Sequence, residues 1–136
     1  MPKIRISADS TCDLSPELVE KYDIAITPLK ITLGDTDYTD QIDITPQKIY
    51  DYVAETGVLP KTAAVSVGTY TDVFTELKKD CDEVVHFTIS SEMSSCYQNA
   101  VLAAEEVGGV YVVDSRNLST GIGHLAIEAA IAAQDE

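Results

Sequence analysis

Residues 4–11, with the sequence IRISADST, form an apolar, strand-like run that ends on one carboxylate and two hydroxyl side chains. The same pattern recurs at residues 84–91 (VVHFTISS) and at residues 110–115 (VYVVDS). A helix-like run follows each strand, and this alternation is typical of a parallel sheet whose strands are connected by helices. The sequence therefore predicts an α/β fold: a three-layer domain with a mainly parallel sheet flanked by helices.

The polar ends of these strands indicate where a ligand would bind. In open parallel sheets, ligands bind outside the carboxyl ends of the strands, where helix N-termini present free N–H groups and a partial positive charge. Hydroxyl side chains at that edge favour a small anion, either a carboxylate or a phosphate.

The other elements follow from capping residues and helical periodicity. The clearest helix carries Tyr70, Val73, Phe74 and Leu77 at positions i, i+3, i+4 and i+7. The remaining predicted helices span residues 15–22, 45–57, 94–107 and 121–134. Residues 24–33 are predicted as an extended, edge-like segment, residues 34–43 as a polar turn region, and residues 58–68 as a linker.

Composition limits the class of protein. With 136 residues, 45% of them hydrophobic, residues 1–136 are predicted to form one domain with its own core. Acidic residues outnumber basic ones by 23 to 9, and the net charge of −14 argues against nucleic-acid binding and against adsorption to an anionic membrane.

The cysteines and the apolar runs bear on localisation. Cys12, Cys81 and Cys96 are too widely spaced for a CxxC motif or a metal site, so we expect reduced thiols and a cytoplasmic protein. The chain opens directly into a strand and has no apolar run long enough to cross a bilayer, so we expect neither a signal peptide nor membrane insertion.

Four serines, Ser90, Ser91, Ser94 and Ser95, cluster within six positions at one strand-to-helix junction. Helix capping explains one serine at such a junction, because a single side-chain oxygen satisfies one free N–H group. Four serines exceed that requirement, and the pattern slightly favours a binding function over capping alone.

Two other strand ends, Asp9-Ser10-Thr11 and Asp114-Ser115, are weak signals when taken separately, because aspartate and serine commonly form turns there. Their shared position on the sheet makes them candidate supports of the site, and a buried aspartate there can hold the N–H groups of a neighbouring loop. His86 and His124 are most simply interpreted as satisfied histidines, which leaves little support for a metal site.

Four other functions could be assigned to the same residues. A phosphatase loop at Cys12 needs an arginine shortly afterwards, and a nucleotide site needs a glycine-rich loop; neither is present. A small hydrolase using Ser91 or Cys12 needs a general base, and no histidine is convincingly placed. An interaction domain, in which the serines only cap helices, remains an alternative and ranks above the hydrolase.

The last predicted helix, residues 121–134, is apolar and alanine-rich and has no capping glycine at its end. A helix this apolar is expected to be covered on more than one side. We therefore expect one of two arrangements: the chain is a fragment of a longer protein, or it forms a tight homodimer.

Five ordered motifs resemble the DegV family, and the resemblance covers essentially the whole chain. They are Asp9-Ser10-Thr11-Cys12-Asp13-Leu14, Asp43-Ile44-Thr45, Pro60-Lys61-Thr62, Ser90-Ser91-Glu92-Met93-Ser94 with Tyr97-Gln98-Asn99-Ala100, and Val112-Val113-Asp114-Ser115. The match corresponds to the N-terminal half of that family, whose members continue into a second α/β domain.

The resemblance implies a protein of bacterial phospholipid metabolism that binds a long-chain fatty acid, needs no cofactor and is not itself an enzyme. It presents the fatty-acid carboxylate to a separate fatty acid kinase, which makes an acyl phosphate. By the family's pattern, Thr62 and Ser94 hold the carboxylate, and Ser91 assists. Two departures from the pattern are Ala63-Ala64-Val65-Ser66 after the Lys-Thr motif and Ser95-Cys96 in place of Gly-Thr before Tyr97, where Ser95 is a further candidate donor.

Overall fold

Seven strands and five α-helices follow one another in the computed structural model, which describes residues 2–135. They are β1 (Ile4–Asp9), α1 (Pro16–Lys21), β2 (Ala25–Thr27), β3 (Lys30–Leu33), β4 (Thr36–Thr39), α2 (Pro46–Thr56), β5 (Lys61–Ala63), α3 (Val67–Leu77), β6 (Glu83–Thr88), α4 (Cys96–Val107), β7 (Val110–Asp114) and α5 (Thr120–Gln134). A 3-10 turn, Ser10–Cys12, directly follows β1.

The main sheet has the strand order β2-β1-β6-β7, and all of its neighbouring strands run parallel. The register places Thr27 beside Asp9 and Thr88 beside Asp114. The predicted parallel sheet is therefore confirmed, and its polar strand ends form one row along the carboxyl edge.

Helices cover both faces of this sheet, as the sequence predicts. Val85 of β6 lines a hollow with Ala129 and Ala133 of α5. The next residue, His86, meets the rings of Tyr70 and Phe74 of α3, with both ring centroids 5.3 Å away. Because successive side chains of a strand point to opposite faces, α5 and α3 lie on opposite sides of the sheet.

A second, antiparallel sheet with the strand order β4-β3-β5 was not predicted. The expected turn region 34–43 contains β4, which pairs with β3 across a two-residue turn at Gly34-Asp35, where Gly34 has a φ of 63°. The expected linker 58–68 contains β5. These strands have only three or four residues, too few for alternating hydrophobicity to distinguish them from loops.

The same sheet corrects the prediction for residues 24–33. That segment forms two strands in different sheets, β2 at the edge of the main sheet and β3 in the centre of the small one. The break lies at Pro28 and Leu29, where proline lacks the N–H group that would continue the ladder. Ile31 and Leu33 then pack with Ile44 in a small core of their own.

Three of the helices, α1, α2 and α3, begin at side-chain caps. The hydroxyl of Ser15 accepts a hydrogen bond from the N–H of Leu18, and the hydroxyl of Thr45 accepts one from the N–H of Lys48. Ser66 caps α3 by accepting from the N–H of Thr69 at 3.1 Å, so α3 begins at Val67, inside the segment predicted as a linker.

Helix α5 packs on β1 and on the turn after it. Ile122, Ala126 and Ala130 are buried along its inner face, whereas His124 is exposed. Gly123 sits where α5 crosses that turn, and a Cβ atom built on it would lie 2.7 Å from Leu14 Cδ2 and 2.8 Å from the carbonyl oxygen of Cys12. Close packing at this crossing therefore requires glycine.

Replacing Gly123 with alanine is expected to lower the free energy of unfolding by about 1–3 kcal/mol, because overpacking against a backbone oxygen outweighs the gain in helix propensity. The matched control is Gly68→Ala in α3, where an added Cβ meets nothing within 4 Å. That control is expected to leave the fold equally or more stable. Urea denaturation of both variants measures the difference, and equal stability would contradict the packing argument.

Candidate functional site

The serine loop, defined here as residues 90–95, connects β6 to α4 at the carboxyl edge of the main sheet. Its turn is held internally, because the carbonyl oxygen of Ser90 accepts hydrogen bonds from the N–H groups of Met93 at 3.0 Å and Ser94 at 3.2 Å. The Ser94 hydroxyl accepts from the N–H of Cys96 at 3.2 Å, at the start of α4. The Ser90 hydroxyl is used in the same way by the N–H of Glu92.

Three successive backbone N–H groups anchor the entry to this loop. The N–H of Ile89 donates to Asp9 Oδ2 at 3.1 Å, that of Ser90 to the carbonyl oxygen of Asn117 at 3.0 Å, and that of Ser91 to Asp114 Oδ1 at 3.1 Å. Asp9 is the last residue of β1, Asp114 is the last residue of β7, and Asn117 follows β7. The strands on both sides of β6 therefore position the loop.

A cavity of about 560 Å³ opens beside the serine loop. It is lined by Ser91, Glu92, Met93, Ser94, Ser95, Tyr97, Gln98 and Val101. Three of the four clustered serines thus share one cavity, with hydroxyls at the N-terminal end of α4 and apolar surface further along that helix. The volume is in the range of small-molecule sites, and free N–H groups at a helix N-terminus favour an anion.

Capping accounts for only part of the serine cluster. Ser95 is the N-cap residue of α4, yet its side chain makes no capping hydrogen bond. Ser91 and Ser95 are exposed and Ser94 is half-buried, so the hydroxyls along this wall lie within reach of a ligand.

Thr62 lies apart from the cavity wall. It is an exposed residue of β5 and pairs with Ile31 of β3. The chain just after it approaches α4, because the side-chain amide of Asn99 donates to the carbonyl oxygen of Val65 at 2.8 Å. The structure therefore brings the segment of Thr62 to the helix that carries the serines, without placing Thr62 among the lining residues.

Asp9 accepts three hydrogen bonds in the interior. Its Oδ1 accepts from the hydroxyl of Tyr70 at 2.6 Å and from Nε2 of His86 at 3.0 Å, while Oδ2 accepts from the N–H of Ile89. Ser7 Oγ lies 2.6 Å from the other ring nitrogen of His86. Asp9, Tyr70, His86 and Ser7 all have a relative exposure of 0%. The carboxylate thus holds a neighbouring loop from a fully buried position.

Sequence reasoning treated His86 as a satisfied histidine and Tyr70 only as an apolar helix position, and missed the network that joins them. A usable signal was present in the alternation of the strands. Ser7 and Asp9, like His86 and Thr88, are two residues apart and so share a face of the sheet. Polar residues on the inner face of adjacent strands predict a buried polar network.

Ser10 and Thr11 do not line the cavity. The Ser10 hydroxyl donates to Asp40 Oδ2 at 2.6 Å and accepts from the N–H of Leu29 at 3.1 Å, which ties the end of β1 to the segments flanking the small sheet. Thr11 Oγ1 is buried and has no hydrogen-bond partner among residues 2–135.

Asp114 and Ser115 shape the loop beside the serines. Asp114 Oδ1 accepts from the N–H of Ser91 and from that of Arg116 at 3.0 Å. The hydroxyl of Ser115 accepts from the N–H of Asn117, whose carbonyl oxygen in turn holds Ser90. Partial burial alone would raise the pKa of Asp114, but hydrogen bonds from Ser91 and Arg116 outweigh it and hold that pKa below its usual value.

This lowered pKa predicts an acid-sensitive serine loop. Because the pKa is lower in the folded state, Asp114 stabilises the fold above its unfolded pKa of about 3.9, and the contribution is lost as pH falls through the folded pKa. We expect the amide resonance of Ser91 to titrate with a midpoint below that value. In Asp114→Asn the same resonance should show no such titration, and a titration that persists there would contradict the assignment.

The thiol of Cys12 and the ring of His86 lie away from the cavity. Cys12 is buried with a relative exposure of 1%, and burial raises the pKa of its thiol. His86 is sealed between Ser7 and Asp9, and no histidine lies among the cavity-lining residues. Ser7, His86 and Asp9 resemble a catalytic triad in composition, but no solvent reaches them.

Within residues 2–135, the helices are too short or too polar to form a membrane span. No group of three or more histidine, cysteine or acidic side chains there is arranged to hold a metal ion.

Comparison with known sequences gives a family match over nearly the whole chain. A family model described as an uncharacterised protein of the DegV family matches residues 3–136. A DegV domain-containing protein of Clostridium perfringens is 36% identical over 132 residues, which cover 96% of this chain and 47% of the relative.

Comparison with solved structures gives the same fold. A DegV family protein from Thermus thermophilus, described by its fatty acid binding, superposes with a TM-score of 0.91 at 32% identity, covering 98% of this chain and 48% of that one. A stearic acid-binding protein from Eubacterium ventriosum superposes with a TM-score of 0.88 at 34% identity, covering 97% and 48%. The chain spans about half the length of these three proteins.

Proposed function

This chain belongs to the DegV family, and we propose that it binds a long-chain fatty acid whose carboxylate is held at the serine loop. The observation that carries the proposal is the cavity shared by Ser91, Ser94 and Ser95 at the N-terminal end of α4. The fatty-acid binding of two structural neighbours supports the choice of a carboxylate over a phosphate.

The chemistry of the cavity suits such a ligand. Hydroxyl donors bind a carboxylate without adding a countercharge, so its oxygen remains free to attack a phosphoryl group. The apolar tail supplies most of the affinity, at about 0.8 kcal/mol per buried methylene. Each hydroxyl hydrogen bond to the charged carboxylate adds about 1.5–3 kcal/mol. The tail therefore drives binding, while the serines determine which end of the ligand is accessible.

Thr62 is proposed as a second hydroxyl on the carboxylate. Its side chain is in an exposed strand, and the following segment is joined to α4 through Val65 and Asn99. Asp9, Ser10, Thr11, Asp114 and Ser115 are proposed to support the surrounding loops.

The partner and the domain organisation are further parts of the proposal. The chain is proposed to be the N-terminal half of a two-domain, cytoplasmic fatty-acid carrier, with a homodimer as the alternative arrangement. It presents the carboxylate to a separate, ATP-dependent fatty acid kinase of bacterial phospholipid synthesis and does not catalyse the transfer. Acyl phosphate should form from ATP and palmitate only when both proteins are present, and formation by the carrier alone would contradict this division of roles.

Native mass spectrometry of the purified chain, followed by denaturation in the same run, tests the binding proposal. We expect a released mass in the range of a long-chain fatty acid, whose value reports chain length and unsaturation. The delipidated chain should then take up added palmitate. A chain that purifies empty and also takes up no palmitate would contradict the proposal.

A further inference from the structure

The backbone at Ile89 is held by a side chain instead of a strand partner. Pairing between β1 and β6 ends at Ala8 and Phe87, and the next residue of β1, Asp9, extends its carboxylate to the N–H of Ile89. Ile89 directly precedes the serine loop. The position of the loop therefore depends on where the Asp9 carboxylate is fixed.

Tyr70 and His86 fix that carboxylate. The Tyr70 hydroxyl is a permanent donor, because burial, together with the charge of Asp9, raises its pKa far above the neutral range. Nε2 of His86 lies 3.0 Å from the same carboxylate oxygen, so its N–H donates there, and Ser7 Oγ lies 2.6 Å from Nδ1 of the ring. Each group in this arrangement has a partner of the opposite kind.

The three anchoring residues come from separate elements. Tyr70 lies on α3, His86 on β6 and Asp9 on β1, and Tyr70 stacks on Phe74 with ring centroids 5.6 Å apart. The side chains of Tyr70, His86, Asp9 and Ser7 are all buried, so packing holds their rotamers. A carboxylate held in this way transmits a defined position to the backbone that it binds.

We propose that Tyr70 and His86 are positioning residues for fatty-acid binding: through Asp9 they hold Ile89, and thereby the serine loop, in the geometry that accepts a carboxylate. This inference rests on the proposed function. The buried network itself contacts no ligand, but it determines how tightly the cavity binds the fatty acid.

The test compares Tyr70→Phe with Ile122→Ala. Tyr70→Phe removes one hydroxyl and keeps the ring, whereas Ile122→Ala leaves a cavity under α5, on the opposite side of the sheet from Tyr70 and His86. For Tyr70→Phe we expect the dissociation constant for palmitate to rise about five- to tenfold, because one of three bonds to the carboxylate is lost. The amide of Ile89 should also exchange with deuterium faster than in the unmodified chain. Ile122→Ala should lower the unfolding temperature at least as much, yet leave the palmitate dissociation constant unchanged.

A second pair of variants tests His86 by rescue. His86→Leu removes the donor to Asp9 and should weaken palmitate binding, whereas the side-chain amide of His86→Gln supplies a donor and should restore much of it. Two results would overturn the positioning role. One is a palmitate affinity that falls in proportion to the loss of stability across all four variants. The other is a palmitate affinity that stays unchanged in Tyr70→Phe and His86→Leu. An unmodified chain that takes up no palmitate would instead overturn the proposed function, and this inference with it.

Discussion

A chain carrying both Thr62→Val and Ser94→Ala is expected to bind palmitate at least about 100-fold more weakly than the unmodified chain. Each substitution removes a hydroxyl proposed to donate to the carboxylate, and a hydrogen bond to a charged acceptor contributes about 1.5–3 kcal/mol. Folding should be little affected, because Thr62 is exposed and the Ser94 hydroxyl accepts only the N–H of Cys96 within the described residues. Isothermal titration calorimetry with palmitate measures the effect.

Methyl palmitate serves as the control ligand for this variant. It keeps the tail but has no charged carboxylate, so its affinity should be nearly the same for the double variant and the unmodified chain. The matched control protein is Thr75→Val, which removes an exposed hydroxyl from α3. Equal losses for palmitate and its ester would show that the substitutions damage the tail's binding surface. Unchanged palmitate affinity would remove Thr62 and Ser94 from the site.

Asp9→Ala is expected to lower the free energy of unfolding by about 3–5 kcal/mol, the loss typical of removing one partner from a buried charged network. The substitution leaves the Tyr70 hydroxyl, the His86 ring and the Ile89 N–H without their acceptor, and all of these groups are buried. Chemical denaturation followed by circular dichroism measures the loss.

The control for Asp9→Ala is Asp72→Ala, which removes an exposed carboxylate from α3 and should change stability by no more than about 0.5 kcal/mol. The loss of stability for Asp9→Asn is expected to lie between those of Asp72→Ala and Asp9→Ala, because an amide still offers one acceptor oxygen but turns an NH₂ group toward the donors. A loss below about 1 kcal/mol for Asp9→Ala would contradict the account of the network, since three unsatisfied buried donors imply more.

Local patterns predicted the helices and the main strands well. Ser15, Thr45 and Gly57 mark helix ends by their own side-chain or backbone chemistry, and the structure has a cap at each of them. The short strands β4 and β5 were missed because their pairing with β3 depends on a hairpin and on a long connection through α2. A three-residue strand acquires its identity from its partners and carries little signal of its own.

The residues of the candidate site were likewise predictable only in part from local sequence. Ser91, Ser94 and Ser95 are close in sequence, so their cluster was visible without a structure, and they do share one cavity. Ser10, equally polar and equally placed at a strand end, instead ties the end of β1 to Asp40 and Leu29. Thr62 came only from the family resemblance, and the structure leaves it outside the cavity wall.

The parallel α/β architecture and the polar carboxyl edge follow from local sequence, because periodicity and capping depend on residues within a few positions of one another. Which polar residues face the cavity, and which are buried together, depends instead on how distant parts of the chain pack. Asp9 and His86 are 77 positions apart and meet because β6 lies beside β1. Strand order is a property of the whole packed chain, since it depends on how every helix covers the sheet, and no local pattern records it.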